Sequence, residues 1–157
     1  VVAIVQMSCA IKDEKELKTV KKQLLSKHHL KAVLSMPDDL FYPVGVVTCI
    51  MVWEANKPNA GRKTWFGYFK DDGFEKRKHQ GRIDARGKYK TTIRDKWVSA
   101  YQNSDVIAGL SVKYEVKYDD EWCAEAYMET DYSTLTSSDF QQKIREYIAF
   151  KILNNIE

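Results

Sequence analysis

The sequence predicts an α/β fold: part of a doubly wound sheet that ends in an antiparallel hairpin, followed by a less regular α+β extension. An apolar run at Val1–Met7, an amphipathic segment at Lys12–His28 and a second apolar run at Lys31–Met36 have the order of a βαβ unit. A third apolar run, Val46–Ala55, starts after only nine residues. Because a parallel crossover usually needs about a dozen residues or more, the last two runs are expected to pair antiparallel.

The first half of the chain supplies the regular elements. The continuous apolar run Val1–Met7 is typical of a strand buried on both faces, as in a parallel sheet. The chain begins inside this run without a Met, which suggests a piece of something longer. In Lys12–His28, the residues Leu17, Val20 and Leu24 recur at helical spacing among lysines, which predicts an amphipathic surface helix. A strand over 31–36 follows.

After the third strand, the elements become shorter. A turn at 56–61 leads into an aromatic strand at Thr64–Lys70. A short helix is predicted over 92–101, a strand over 112–118 and a helical turn over 122–128. The last helix is expected to begin after an N-cap at Ser138, with Gln141 three residues on, and to run to Asn155. One apolar face of that helix predicts core packing or docking on a partner subunit; its residues are Phe140, Ile144, Tyr147, Ile148 and Ile152.

Composition places the chain among ordinary soluble domains. It has 157 residues, 44% hydrophobic and 30% charged. No apolar run approaches the roughly 20 residues of a membrane span, and no basic region precedes Val1 as in a signal peptide. We therefore expect a cytoplasmic protein with no membrane partner. The three cysteines and three histidines lack the spacing of a disulfide framework or a metal site, so no metal is predicted.

Charge is distributed unevenly along the chain. Residues 75–96 carry nine Lys or Arg and three acids, whereas residues 115–139 carry eight acids and one Lys. The basic stretch is either a solvated loop or a surface that contacts phosphates. Its candidate DNA-backbone residues are Lys76, Arg77, Lys78, Arg82, Arg86, Lys88 and Lys90. The acidic segment 119–131 lacks a metal-ligand pattern and is expected to be a solvated face or a subunit contact.

Between the second and third strands, Leu40, Phe41 and Tyr42 stand between Pro37 and Pro43. Large aromatic side chains in a proline-stiffened loop are costly to expose unless they pack or bind something. A Phe at this position is therefore either a plug in the core or part of a binding site. Partial exposure of Phe41 without DNA would favour binding.

The segment Leu34–Trp53 resembles a segment of the adenine-N6 DNA methyltransferases, the modification subunits of type I and related restriction–modification systems. The shared features are a strand that ends in a Pro, a loop Phe and a long antiparallel strand. The resemblance covers residues 1–70 well and the remainder weakly. It implies the C-terminal half of an S-adenosylmethionine-methyltransferase-like catalytic domain in 1–70. Residues 71–157 would then be a basic, irregular extension on which the C-terminal helix packs.

The resemblance also implies a role for the aromatic loop. These enzymes flip the target adenine out of the duplex, and an aromatic face replaces its lost stacking partners. By this correspondence Phe41 stacks on the adenine, and Tyr42 shares or takes that role. The implied partners are double-stranded DNA, a specificity subunit or domain, and a restriction subunit.

The chain departs from the family at the cofactor and catalytic motifs. It contains neither a Gly-rich FxGxG loop nor an Asn/Asp-Pro-Pro-Tyr/Phe sequence. S-adenosylmethionine is therefore expected as the cofactor of the whole enzyme, with its binding motif absent from this chain. No catalytic residue is predicted here, and the isolated chain is expected to be inactive.

A second interpretation is a non-catalytic nucleic-acid-binding module. It would use the basic stretch 75–96 together with an aromatic stacking surface, consisting of Trp65, Phe66, Tyr68 and Phe69. The enzyme interpretation requires that one side of the first strand is unpaired, so that another strand of the enzyme can pair with it. The module needs a closed sheet without such an edge.

Overall fold

The computed structural model describes residues 1–129 and 135–154. Its seven strands are β1 (Val2–Gln6), β2 (His29–Ser35), β3 (Thr48–Glu54), β4 (Thr64–Tyr68), β5 (Glu75–Arg77), β6 (Gly81–Ile83) and β7 (Ser111–Tyr114). Five of them form one sheet in the order β1-β3-β2-β4-β7. Within it, β2 and β4 pair parallel, and the other neighbours pair antiparallel. The short β5–β6 hairpin stands apart as a second, two-stranded sheet.

Four α-helices lie in the described residues, and those that pack on the sheet cover both of its faces. They are α1 (Met7–Ile11), α2 (Lys15–Lys27), α3 (Arg94–Asn103) and α4 (Ser137–Leu153), with a π turn at Tyr89–Ile93 and a 3-10 turn at Ala124–Ala126. Side chains of α1 and α2 contribute to one core cluster, and those of α3 contribute to the other. No helix in the described ranges combines the length and apolar character needed to cross a membrane.

The predicted α/β class and the antiparallel hairpin are confirmed. The β2–β3 pair places Leu34 opposite Ile50 and Ser35 opposite Cys49. Since β1 and β2 are both antiparallel to β3, they run parallel to each other, joined through α1 and α2 as the βαβ pattern predicts. The pattern did not show that β3 lies between them.

The first strand differs from its prediction. β1 is an edge strand, with exposed residues alternating along it, rather than a strand buried on both faces. Its Ile4 is 62% exposed, and Met7 already belongs to α1. A run of apolar residues has the same sequence signature whether the strand is central or lies at an open edge. Among residues 1–129 and 135–154, the outer side of the first strand has no partner strand, as the enzyme interpretation requires.

Two apolar clusters fill the two faces of the sheet. Neighbouring residues of β4 point to opposite sides, so that Phe66 packs in one cluster and Trp65 in the other. The second half of the chain completes both clusters. Trp122 joins Phe66, while Trp97 of α3 stacks on Phe69 with ring centroids 4.4 Å apart.

The C-terminal helix also differs from its prediction. Its N-cap is Thr136, whose hydroxyl accepts from Asp139 N in a capping box, rather than Ser138. No residue of α4 is buried, so the core packing expected of its apolar stripe is absent from the described residues. An apolar stripe shows that a helix has a face to cover but not which surface covers it. Asn155 lies outside the described residues.

Candidate functional site

The aromatic loop occupies residues 36–47, between the hydrogen-bonded strands β2 and β3. Pro37 is fully buried at its start. Two consecutive turns follow: Leu40 N donates to Pro37 O, and Tyr42 N donates to Asp39 O, each at 3.1 Å. These turns fix the backbone from which the two aromatic side chains project.

Phe41 lies at the mouth of an apolar cleft. The cleft has a volume of about 370 Å³ between the loop and β1, and it is lined by Ile4, Val5, Gln6, Phe41, Val44, Val46 and Thr48. Phe41 is 44% exposed and is not a plug in the core. The buried Thr48 hydroxyl has no hydrogen-bond partner within the described ranges. The site therefore offers an aromatic face, aliphatic walls and two polar side chains.

Tyr42 lies beside Phe41 but has a different environment. Its ring is exposed, and the Lys76 ammonium lies 5.6 Å from the ring centroid. The cleft is lined by Phe41 rather than Tyr42 in the part of the chain that the structure describes. The two predicted aromatic residues are therefore adjacent but not equivalent.

The basic stretch divides into paired and unpaired side chains. Four of its seven candidates form ion pairs: Lys76 with Asp39 (3.4 Å), Arg77 and Arg86 with Glu75 (2.8 and 3.0 Å), and Arg82 with Asp39 and Asp72 (2.9 and 2.8 Å). The other three, Lys78, Lys88 and Lys90, are exposed or half-exposed and have no ion pair among residues 1–129 and 135–154.

Arg82 is the exception within this stretch. Its side chain is only 10% exposed and is turned inward between two carboxylates. As placed, it does not present its guanidinium to a ligand outside the protein. The distribution of charge along the sequence cannot separate it from its exposed neighbours, because its partners Asp39 and Asp72 lie in other segments.

A polar cluster lies where β2 and β4 end side by side. The buried Ser35 hydroxyl donates to Glu125 Oε2 at 2.6 Å, and Lys70 Nζ lies 3.5 Å from Glu125 and also pairs with Asp38. Burial alone would lower the pKa of Lys70, but Asp38 and Glu125 outweigh it and raise that pKa. Glu125 belongs to the acidic segment 119–131, of which residues 130 and 131 lie outside the described residues. Sequence reasoning missed its contact with Ser35.

The stacking surface of the binding-module interpretation does not form. Trp65, Phe66 and Phe69 are all buried in the two core clusters. An aromatic strand has the same composition whether its rings face solvent or pack on both faces of a sheet. The fourth residue, Tyr68, is half-buried against one of these clusters, so this prediction is wrong. Phe41 and Tyr42, by contrast, are exposed.

Several glycines of the chain lie at close packing contacts or in turns. Gly67 is packed so tightly against Trp65 that an added Cβ would lie 2.7 Å from the Trp65 ring. Gly73, Gly81 and Gly87 take positive φ values in turns of the basic stretch. Gly87 lies in the turn between β6 and the π turn, and none of these glycines belongs to an FxGxG sequence. We also find no group of three metal-ligating side chains within 1–129 and 135–154.

Comparison with known protein families gives a match over almost the whole chain. Residues 1–154 match the family model described as N-6 DNA Methylase. The chain is 32% identical over 150 residues to the type II restriction enzyme and methyltransferase RM.BcgI of Heyndrickxia coagulans. That alignment covers 95% of this chain but 23% of the relative, so the chain spans less than a quarter of that protein.

Solved structures give the same fold at low sequence identity. The methyltransferase subunit of a type I restriction–modification system from Streptococcus thermophilus superposes with a TM-score of 0.62 and 16% identity, over 82% of this chain and 26% of that one. A structure reported for assembly and conformational transition of the type I restriction–modification system gives a TM-score of 0.56 and 19% identity. It covers 99% of this chain and 36% of the other.

Proposed function

Because the chain belongs to the N-6 DNA methylase family, we propose that it forms the target-base side of a DNA adenine-N6 methyltransferase of a restriction–modification system. The observation that carries this proposal is the placement of Phe41, half-exposed at the mouth of an apolar cleft. The family match supports methyltransferase chemistry, and the exposed ring supports a role in binding.

The proposed role of Phe41 follows from the cost of extruding a base. An adenine inside a duplex hides its amine, so the enzyme must flip the base out of the stack. The flipped base then lacks its stacking partners, and an aromatic side chain can replace one of them for about 1–3 kcal/mol per base. Phe41 presents such a face beside aliphatic walls. Tyr42 is the second candidate, because the Lys76 ammonium already lies over its ring.

Methyl transfer itself is assigned to a part of the enzyme outside this chain. The cofactor of the whole enzyme would be S-adenosylmethionine, which supplies the methyl group, and the chain contains no FxGxG sequence like the one that binds it in the family. The chain also lacks the Asn/Asp-Pro-Pro-Tyr/Phe sequence that binds the target amine in the family. The 157 residues thus contribute to base and DNA binding rather than to the chemical step.

The isolated chain should therefore show no methyl transfer. Incubated with unmethylated double-stranded DNA and S-adenosylmethionine labelled in its methyl group, it should leave the DNA unlabelled. An active adenine-N6 methyltransferase in the same buffer is the control. Label transferred by this chain alone would contradict this assignment.

The exposed part of the basic stretch is proposed to contact the DNA backbone. Lys78, Lys88 and Lys90 are free to meet phosphates, and the exposed ion pairs of Lys76, Arg77 and Arg86 can exchange their carboxylates for phosphates at little cost. Such contacts position a duplex without reading its sequence. The proposed partners are double-stranded DNA, a specificity subunit or domain, and a restriction subunit, and the proposed localisation is cytoplasmic.

Neutralising the three free lysines should change the salt dependence of DNA binding. The triple variant carries Lys78→Gln, Lys88→Gln and Lys90→Gln. In it, the slope of log K against log salt should become less negative by about 0.9 for each phosphate that the protein no longer neutralises. The control removes three exposed lysines elsewhere: Lys15→Gln, Lys27→Gln, Lys31→Gln. Equal slopes for the two triple variants would show that the basic stretch makes no specific backbone contact.

A further inference from the structure

We propose that Arg82 is a positioning residue that holds Phe41 in place through Asp39. Arg82 forms ion pairs with Asp39 and with Asp72, and these three residues are called here the loop anchor. The inference rests on the proposed function of Phe41, which it deepens. It gives the basic stretch two roles, with most of its side chains facing outward and Arg82 facing the aromatic loop.

The Arg82 guanidinium contacts two carboxylates in the loop anchor. Arg82 Nε lies 2.9 Å from Asp39 Oδ1, while Arg82 Nη2 donates to both oxygens of Asp72 at 2.9 and 2.8 Å. The side chains of Arg82 and Asp72 are 10% and 8% exposed. Ion pairs shielded in this way are screened by salt far less than exposed ones. The guanidinium is therefore hydrogen-bonded to Asp72 and attracts the Asp39 carboxylate by charge, since Nε forms no hydrogen bond within the described ranges.

Asp72 is in turn connected to the core. Its carboxylate accepts from Phe74 N at 3.0 Å, and the Phe74 ring lies 5.1 Å from the Arg82 guanidinium. Phe74 packs edge-on against Tyr89, and Tyr89 packs against Trp97, which belongs to a core cluster. The side of the loop anchor away from the loop is thus fixed by packing.

On the loop side, Asp39 belongs to the turn that carries Phe41. The Asp39 carbonyl accepts the hydrogen bond from Tyr42 N. Holding the Asp39 carboxylate therefore restrains the backbone on which Phe41 stands. The neighbouring Asp38 pairs with Lys70, but its side chain is 70% exposed, so that ion pair restrains the loop less.

The first test measures the loop directly by amide hydrogen exchange in the 157-residue chain. Asp39→Asn keeps the shape of the side chain and leaves the Arg82–Asp72 pair intact, and Asp38→Asn is its matched control. Because Asp39 also pairs with Lys76 at 3.4 Å, Lys76→Gln removes that exposed ion pair alone and should leave the exchange rates unchanged. Exchange at Leu40 and Tyr42 should accelerate by about tenfold in Asp39→Asn, because the neutral amide lacks the charge that attracts the guanidinium. It should change by less than about twofold in Asp38→Asn.

The second test measures base binding, which a merely structural role would not alter. The probe is duplex DNA with an unpaired 2-aminopurine, whose fluorescence reports stacking. Asp39→Asn should weaken binding of this probe by about fivefold, with a thermal midpoint within about 4 °C of the parent chain. Arg82→Lys keeps the charge but loses the forked geometry of the guanidinium. Its affinity for the probe should lie between those of the parent chain and Asp39→Asn.

The outcomes separate this inference from the proposed function. Faster exchange and weaker probe binding in Asp39→Asn, with Asp38→Asn unchanged, would support both. If Phe41→Ala weakens probe binding but Asp39→Asn changes neither exchange nor binding, Arg82 does not position the loop. If Phe41→Ala has no effect on the probe, the proposed function fails and the role of Arg82 in base binding fails with it. The exchange result alone then decides whether the loop anchor restrains the loop.

Discussion

Replacing Phe41 by Ala should weaken binding of DNA that carries an unpaired 2-aminopurine by roughly 5- to 150-fold, the equivalent of about 1–3 kcal/mol of stacking. The reason is that the Phe41 ring is the aromatic face of the cleft beside β1. Since 44% of the side chain is already exposed, its removal should change the free energy of unfolding little. Fluorescence titration and urea denaturation of the same samples measure the two quantities.

Two controls sharpen this experiment. Phe41→Tyr keeps a ring and should retain most of the affinity, whereas Tyr42→Ala removes the neighbouring ring and should have a smaller effect than Phe41→Ala. A loss of about 3–5 kcal/mol in the free energy of unfolding of Phe41→Ala, typical of a buried Phe truncation, would instead show that this ring packs in the core.

Replacing Trp122 by Ala should lower the free energy of unfolding by about 3–5 kcal/mol, the largest effect expected of a single change in this chain. Trp122 is only 1% exposed. Its ring packs edge-on against Trp53 with centroids 5.8 Å apart, and its Nε1 donates to Lys117 O at 2.9 Å. Truncation removes the packing and leaves a cavity between the sheet and the segment that follows β7.

The same truncation would uncover a buried charge. Lys21 of α2 is 4% exposed, and its Nζ donates to Ala10 O and Asp120 O at 2.6 and 3.0 Å. That ammonium lies 4.9 Å from the centroid of the Trp122 ring. Burial lowers the pKa of Lys21, and the two carbonyls and the ring offset part of the cost of its charge.

Urea denaturation of Trp122→Ala, compared with Tyr118→Ala, tests this expectation. Tyr118 belongs to the same segment but is exposed, and its truncation should change the free energy of unfolding by less than about 0.5 kcal/mol. A decrease below about 1 kcal/mol in Trp122→Ala would show that the segment around it contributes little to the core.

What the sequence predicted well is local in the chain. The β2–β3 hairpin and its Pro37 boundary follow from residues close to one another, in a loop too short for a parallel crossover. The same residues left open whether Phe41 packs in the core or is exposed, and the structure shows it 44% exposed. The family resemblance rested on the same stretch, and it is confirmed by the match over residues 1–154.

What the sequence did not predict depends on partners far away in the chain. In the sequence, Lys21 is one of many lysines in an amphipathic helix. In the structure it donates to the carbonyl of Asp120, 99 residues further along the chain. In the sequence, Arg82 is indistinguishable from its basic neighbours. In the structure it lies between Asp39 and Asp72. The position of β1 at an edge likewise depends on the insertion of β3 between β1 and β2. Periodicity and charge distribution carry no information on such pairings.

The pairing of β7 with β4 limits how such a protein can exchange parts with its relatives. β7 covers the free side of β4, while Trp97 and Trp122 fill the two faces around Trp65 and Phe66. A recombination point near residue 70 would join halves of two different cores, and only parents with matching side-chain volumes would give a stable hybrid. A crossover in the exposed turn at residues 55–58 would divide the same clusters, because Val33 packs with Phe66 and Leu34 with Trp65. Crossovers outside the chain would leave both clusters within one parent.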